Sequence, residues 1–432
     1  MFITNYQKIA KTPLRRDVLR IVEAGIDASL PEKVLENKLR LQKDVLLVNG
    51  NKVDLSKYEN VYVVGGGKAS YGTAKYISGL LRHRITEGVV VGEREGIFDK
   101  IKSYEGTHPY PSERNISATK KLVSVLKKAK KGDLVIAIIS GGGSSLLCAP
   151  HKMTCVDLKS VIEEFFRKGA NIKEINIVRK HISEIHGGNL AKLAYPADVL
   201  GLIFSDVPFK DVSLVSSGPT FYDRTSKADA LKVAKKYGIS GLTFLETPKE
   251  KKYFEQVKNI LLLSNCDAIE AMKKEAEARG YKTRVCGMYL KGEAKKLAKK
   301  IIGEFKTERG KVAFVGGGET IVYVKHKGKG GRNLETAMGA IDSIPKGAVF
   351  ASVASDGKDN IEGVGGGLID EGVIKRAEEL KYDYRKFLDE NNSYKFMSDT
   401  GGLIEARETG TNISDLVVIL KEATKSNTGY NR

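Results

Sequence analysis

Lys68, Asp206 and Arg332 are the side chains whose type and setting suit the handling of a phosphoryl group. Lys68 follows three glycines in VYVVGGGKAS (61–70), Asp206 follows the apolar run 199–204 within FSDVP, and Arg332 closes the cation- and glycine-rich stretch KHKGKGGR. An ammonium beside a glycine turn can meet phosphate oxygens together with main-chain N–H donors. A guanidinium on a flexible loop suits a transferring phosphoryl group, whose transition state spreads charge over several oxygens. A carboxylate just past a strand is where α/β enzymes often hold Mg2+ or a general base. Each feature has a plainer reading: Asp206 as a turn cap, and Arg332 as part of a polar surface hairpin.

Three apolar runs end in glycine clusters: 61–70, LVIAIISGGGSS (134–145) and VAFVGGGET (312–320). Each reads as strand, sharp turn, then a polar or helix-opening residue, a pattern that lets N–H groups converge on an anion. Gly66 and Gly67, the run Ser140, Gly141, Gly142, Gly143, Ser144 and Ser145, and Gly317, Gly318 and Glu319 are therefore the candidate nucleotide contacts. A ligand-free strand-to-helix turn uses glycine too, so the weight comes from three such loops in one chain. The first loop fails the G-x-x-x-x-G-K-[ST] pattern, which needs glycine at Tyr62 and a hydroxyl at Ala69, and no loop carries the dinucleotide fingerprint with its distant acid. Asp356 and Asp359 in SDGKDN could meet Mg2+ or a nucleotide, but the spacing also makes Asx turns. His181 and His186 are not at the spacing of a helical metal pair, His108 in THPYPSE reads as a turn, and no G-x-S-x-G elbow is present.

These groups need a scaffold, and 432 residues exceed what one core usually fills, so two domains are expected, at 1–240 and 241–432. Strand and helix signals alternate: strands at 60–64, 88–91, 134–140 and 199–204, and helices at 17–28, 70–81, 119–130, 157–168, 176–193 and 226–237. That alternation implies an α/β, doubly wound parallel sheet, which binds ligands beyond the carboxyl ends of its strands. The second half reads as α/β as well, with strands at 259–263, 282–286, 312–315, 320–324, 348–354 and 416–420.

The net charge of +19 first suggests a polyanion partner. The lysines, however, are spread over helices such as 122–131 and 293–300 among Glu and apolar residues, as on solvated faces. No nucleic-acid motif accompanies them, so nucleic acid is not the expected partner. No apolar run is long enough to span a membrane. The start lacks a secretory pattern, and four cysteines without a C-x-x-C pair suit a reducing cytoplasm.

Taken together, the segments GGGKAS, HPYPSERN, SGGGSSLL, VRKHISEIHGGNLA, SDVP, SSGPT, GGGET, GKGGRNLE, SDGKD and TGTNISDL resemble, in one order over most of the chain, the glycerate 2-kinases, or MOFRL-type glycerate kinases. The resemblance implies an N-terminal Rossmann-like domain, a smaller C-terminal α/β domain and an active site in the cleft between them. It implies transfer of the ATP γ-phosphoryl group to the 2-hydroxyl of D-glycerate with Mg2+ or a similar divalent cation. Carried over by position, Lys68, Asp206 and Arg332 match the family's functional residues, with Asp206, Glu319 and Asp356 as metal candidates. A homodimer is compatible with it. The chain departs from the family pattern at His186 and Asn189, where basic residues are frequent. A hydroxypyruvate reductase using NAD(P)H, or a kinase of another small sugar acid, is the alternative.

Overall fold

The computed structural model describes residues 1–205, 211–410 and 412–422. The chain divides into two compact units, Pro31–Leu263, and Met1–Leu30 together with Ser264–Arg432. This differs from the boundary expected at 240/241. The strand Val257–Leu263 pairs in parallel with Asp198–Phe204 and completes the first sheet, while the helix Pro13–Ser29 packs on Asn265–Ala278 within its own unit. That N-terminal helix starts with Pro at its first position and Thr12 accepting from Arg15 N, then buries Val18, Leu19, Val22 and Ile26 on one face.

The unit Pro31–Leu263 holds a seven-stranded sheet in the order Val257–Leu263, Asp198–Phe204, Leu134–Ser140, Val61–Gly66, Glu87–Gly92, Ile101–Glu105, Gly96–Phe98. All neighbours pair in parallel except the last two. Numbered along the chain, the parallel strands read 3-2-1-4-5-6 across the sheet, the doubly wound order. Their near-continuous apolar composition suits strands covered on both faces, and Val64, Val91, Ile139 and Ile203 lie in one buried core. A second cluster with Phe165, Ile175, Val178 and Phe244 seats the helix Ile172–His181. The stretch expected as one helix over 176–193 is two, Ile172–His181 and Asn189–Ala194. Ser183 bridges to Pro150 in between, and Gly187 and Gly188 adopt positive φ, which a helix does not accommodate.

The other unit has a six-stranded mixed sheet in the order Lys282–Glu293, Val312–Ile321, Asp415–Lys421, Ala348–Ala354, Val364–Ile369, Leu403–Glu405. The strands expected at 312–315 and 320–324 are one, Val312–Ile321, paired on both edges. The third glycine cluster is thus not a turn. Gly318 is needed because a Cβ there would lie 2.2 Å from the main-chain N and O of Leu290 on the adjacent strand. Among the described residues no helix is long and apolar enough to cross a membrane.

Candidate active site

Strand order reverses between the adjacent parallel strands Val61–Gly66 and Leu134–Ser140, so their carboxyl ends mark the switch point of the sheet. Lys68 leaves the first strand there, and the run 141–145 leaves the second. Glycine is dictated by the neighbouring strand: a Cβ on Gly65 would sit 2.1 Å from Ile138 O, and Gly67 (φ +129°) faces Ser140 Oγ at 2.2 Å. The N–H groups expected to cradle phosphate in this first turn are used internally. Gly67 N donates to Val91 O (3.1 Å), Lys68 N to Gly141 O (2.9 Å) and Ala69 N to Ser140 Oγ (3.0 Å). What the turn offers a ligand is the Lys68 side chain, which no described carboxylate pairs.

The second loop is braced by the turn Ser216–Ser217–Gly218, for which the residue pattern gave no signal. All three adopt left-handed backbone, with φ of 49°, 55° and 63°. Two such serines in succession are unusual and are held by their hydroxyls. Ser216 Oγ donates to Ser140 O (2.6 Å), and Ser217 Oγ donates to Asn176 Oδ1 (3.0 Å) and shares a hydrogen with Ser144 Oγ (3.0 Å). Ser145 Oγ donates to Pro109 O (2.6 Å), tying the loop to the segment that carries His108.

Asn176 and Arg179 stand one turn apart on the helix Ile172–His181, whose Ile175 and Val178 are sunk in the core. Asn171 caps this helix by accepting from Lys173 N and Glu174 N. A cavity of about 270 Å³ is bounded by His108, Tyr110, Ser144, Ser145, Phe166 and Arg179. Burial lowers the Arg179 guanidinium to about 10. His186 is buried, with Nδ1 against Ser183 Oγ (2.8 Å) and with the Gly143 main chain beside Nε2 but outside hydrogen-bond geometry. Burial and then the Arg179 charge lower it to about 3, so it is neutral. Nearby, Asp223 is ion-paired with Lys180 (3.2 Å) and lies 3.4 Å from His181 Nε2; burial would raise its carboxyl, but the His181 hydrogen bond and the Lys180 charge hold it below the usual range. Asp206, just past Asp198–Phe204, lies outside the described residues.

In the other unit Arg332 follows the irregular stretch 322–331 and opens the helix Arg332–Met338, and its guanidinium grips Asp415 through Nε–Oδ2 (2.7 Å) and Nη2–Oδ1 (3.1 Å), with Nη1 3.2 Å from Glu319. Asp415 also accepts from Asn333 Nδ2 (2.9 Å). Burial pushes the Asp415 carboxyl up to about 6 against the pull of Arg332, leaving it ionised at neutral pH. Asp359 caps the same helix, accepting from Asn333 N (3.0 Å) and Leu334 N (2.8 Å). The expected metal candidates are thus differently engaged: Glu319 pairs with Arg332, and Asp356 accepts from Lys358 N (3.0 Å) in an Asx turn. Among the described residues no three His, Cys, Asp or Glu side chains gather as a cation site; the third metal candidate, Asp206, lies outside the described residues. Gly317 and Gly318 lie inside a strand, paired with Leu416 and Asp415, and form no turn around a phosphate. Spacing pointed to Lys68 and the 140–145 loop. It gave no signal for Asp415, which is 83 positions from its partner Arg332.

Residues 17–247 match a family described as "Domain of unknown function (DUF4147)", and residues 312–415 match the MOFRL family. A D-glycerate 2-kinase of Thermotoga maritima is 32% identical over 428 residues, covering 94% of this chain and 98% of that protein. A protein of Agrobacterium vitis, provisionally named a hydroxypyruvate reductase, is 34% identical over 387 residues, covering 83% of this chain and 86% of its own. The crystal structure of a Thermotoga maritima glycerate kinase superimposes with a TM-score of 0.84 at 29% identity, covering 94% of this chain and 99% of that one.

Proposed function

The chain belongs to the glycerate 2-kinases of MOFRL type, and on that premise we propose that it transfers the γ-phosphoryl group of ATP to the 2-hydroxyl of D-glycerate, releasing ADP and 2-phosphoglycerate. The observation that carries this reading is Lys68: a cation without a described carboxylate partner, at the switch point of a 3-2-1-4-5-6 sheet, beside the serine-rich loop 140–145. In the reaction the 2-hydroxyl oxygen forms a bond to phosphorus, the bond to the ADP oxygen breaks, and the hydroxyl proton must leave. Lys68 takes phosphate oxygens. Asp206, which follows the strand Asp198–Phe204 in the sequence, orients the hydroxyl and accepts its proton. Ser144 and Ser145 line the acceptor side. Arg332 is held at one edge by the buried Asp415, which leaves the Nη1 side, now on the exposed Glu319, to exchange for a phosphate oxygen. A divalent cation bound with ATP would neutralise charge on the transferring group, with Asp206, Glu319 and Asp356 as its candidate protein ligands. ATP as donor and four free thiols suit a cytoplasmic enzyme.

The test couples the protein with ATP, Mg2+ and D-glycerate to enolase and follows phosphoenolpyruvate, with hydroxypyruvate and NAD(P)H in a parallel reaction. Enolase reads the 2-phosphate and not its 3-isomer, so a signal establishes reaction and position together. NAD(P)H consumption without ADP release would replace the kinase reading with the reductase one, which the missing dinucleotide fingerprint argues against. Lys68→Ala should lower kcat about 10²–10³-fold with the fold intact by circular dichroism. Near-normal turnover would remove Lys68 from the chemistry.

A further inference from the structure

Arg179 is a charged side chain in the wall of a small cavity, without an acidic partner among the described residues. Its polar contact among the described residues is a weak one, Nη1 to Asn176 Oδ1 at 3.4 Å, and no described carboxylate pairs with it. A half-buried guanidinium without a described counter-charge is costly to the fold, and sites that bind anions carry such a cost. The surrounding chemistry is that of a receptor. Ser144 and Ser145 supply hydroxyls, His108 an imidazole, and Tyr110 and Phe166 apolar walls that strengthen any ion pair formed inside. At about 270 Å³ the space falls below the range of about 300–1,000 Å³ for drug-sized ligands, which suits a compact metabolite and not a whole nucleotide.

We propose that Arg179 receives the carboxylate of a small 2-hydroxycarboxylate acceptor in this cavity, through the paired N–H groups of its guanidinium. The inference rests on the kinase reading above and names the acceptor subsite within it. Lys68 stands at the rim: a Cβ on Gly142 would lie 3.3 Å from both Lys68 Cγ and His108 Nε2. Lys68 at the rim and Arg179 in the wall thus match the two anions the reaction brings together, phosphate and carboxylate, while Lys159, also in the lining, lies 3.9 Å from Glu163 and over the Tyr110 ring. The arrangement also accounts for choice of hydroxyl. The 2-hydroxyl is one carbon from the carboxylate and the 3-hydroxyl two, so a planar bidentate anchor fixes the first and leaves the second free to swing.

The test compares wild type with Arg179→Met and Arg179→Lys in steady-state kinetics and in calorimetric titration with D-glycerate and, separately, with ADP. The Met variant should raise KM and Kd for D-glycerate about 10- to 100-fold, leave ADP binding within about twofold, and lose selectivity for the 2- over the 3-phosphate. Its ligand-free Tm should be unchanged or higher, because an uncompensated charge has been removed. Arg179→Lys, which keeps the charge but not the fork, should weaken D-glycerate alone and to a smaller degree. Glycerol, which has the hydroxyls without the carboxylate, should be an equally poor acceptor for wild type and Met variant.

Unchanged D-glycerate affinity in both variants overturns the assignment. So does a parallel loss of ADP binding, which would make the occupant a nucleotide phosphate. A sharp fall in Tm for both variants with D-glycerate affinity retained marks a structural arginine and overturns it too. A wild type that binds D-glycerate without phosphorylating it sinks the kinase reading and leaves the calorimetric comparison in force; one that binds none sinks both.

Discussion

Lys68 and Arg332 carry the same charge into opposite surroundings, and that difference governs what each can do. Lys68 extends from a turn whose own N–H groups are already bonded, so its ammonium is the part free to meet a ligand. Arg332 is clasped by Asp415, which is 5% exposed, and touched by Glu319, which is 49% exposed. Asp415→Ala should therefore destabilise the protein by about 2–4 kcal/mol in urea unfolding, because it leaves a partly buried guanidinium unpaired, and should lower turnover with it. Glu319→Gln should change stability by less than about 1 kcal/mol, since exposed pairs contribute little. His186 makes a pH prediction. Its ordinary value of 6.5 falls to about 3 in the fold, so the unfolded chain takes up a proton that the folded chain refuses. Stability from this residue is full above pH 6.5 and is lost as pH falls towards 3, by about 1.4 kcal/mol per pH unit. His186→Gln should move the acid-unfolding midpoint to lower pH, as followed by tyrosine fluorescence.

Among the elements, three similar glycine triplets do different work. At 65–67 the glycines let one strand pass close against its neighbour before the lysine turn. At 141–143 they make a turn that Ser216 and Ser217 brace. At 316–318 they lie inside a strand paired on both sides, where the demand is close approach of backbones. The local sequence, an apolar run followed by Gly-Gly-Gly, is the same in each case, and only the partner strands decide whether the chain turns. Gly318→Ala should cost about 3 kcal/mol or more, since its Cβ would meet backbone that has no freedom to yield. Gly79→Ala, in a helix with open space around it, should be neutral or stabilising in the same denaturation series. The helix 70–81 and the strand 134–140 are legible to the residue because an apolar period or run meets a glycine cluster there. The helix over 172–181 was misplaced because its apolar positions run past His181 into a segment that folds back on Pro150.

At the scale of the whole chain, covalent order and spatial order part company. The first thirty residues belong with the C-terminal sheet, and they are fastened there by Arg15, whose Nε and Nη2 each lie 2.6 Å from an oxygen of Asp370. Both partners are buried, with side chains 7% and 10% exposed. Asp370→Ala should cost about 3–5 kcal/mol, measured as a fall in the urea midpoint, because it strands a buried guanidinium.

The sequence by itself determined the alternation of strand and helix, hence the α/β class, and placed Lys68 and the loop 140–145 at strand ends, because these follow from local period and from glycine next to an apolar run. Tertiary structure alone decided that Val257–Leu263 closes the first sheet, that Arg332 is anchored by an aspartate far along the chain, and that Arg179 stands in a cavity wall without a counter-charge among the described residues. Pairing across a sheet and the absence of a partner are properties of neighbours in space, and no window of sequence contains them.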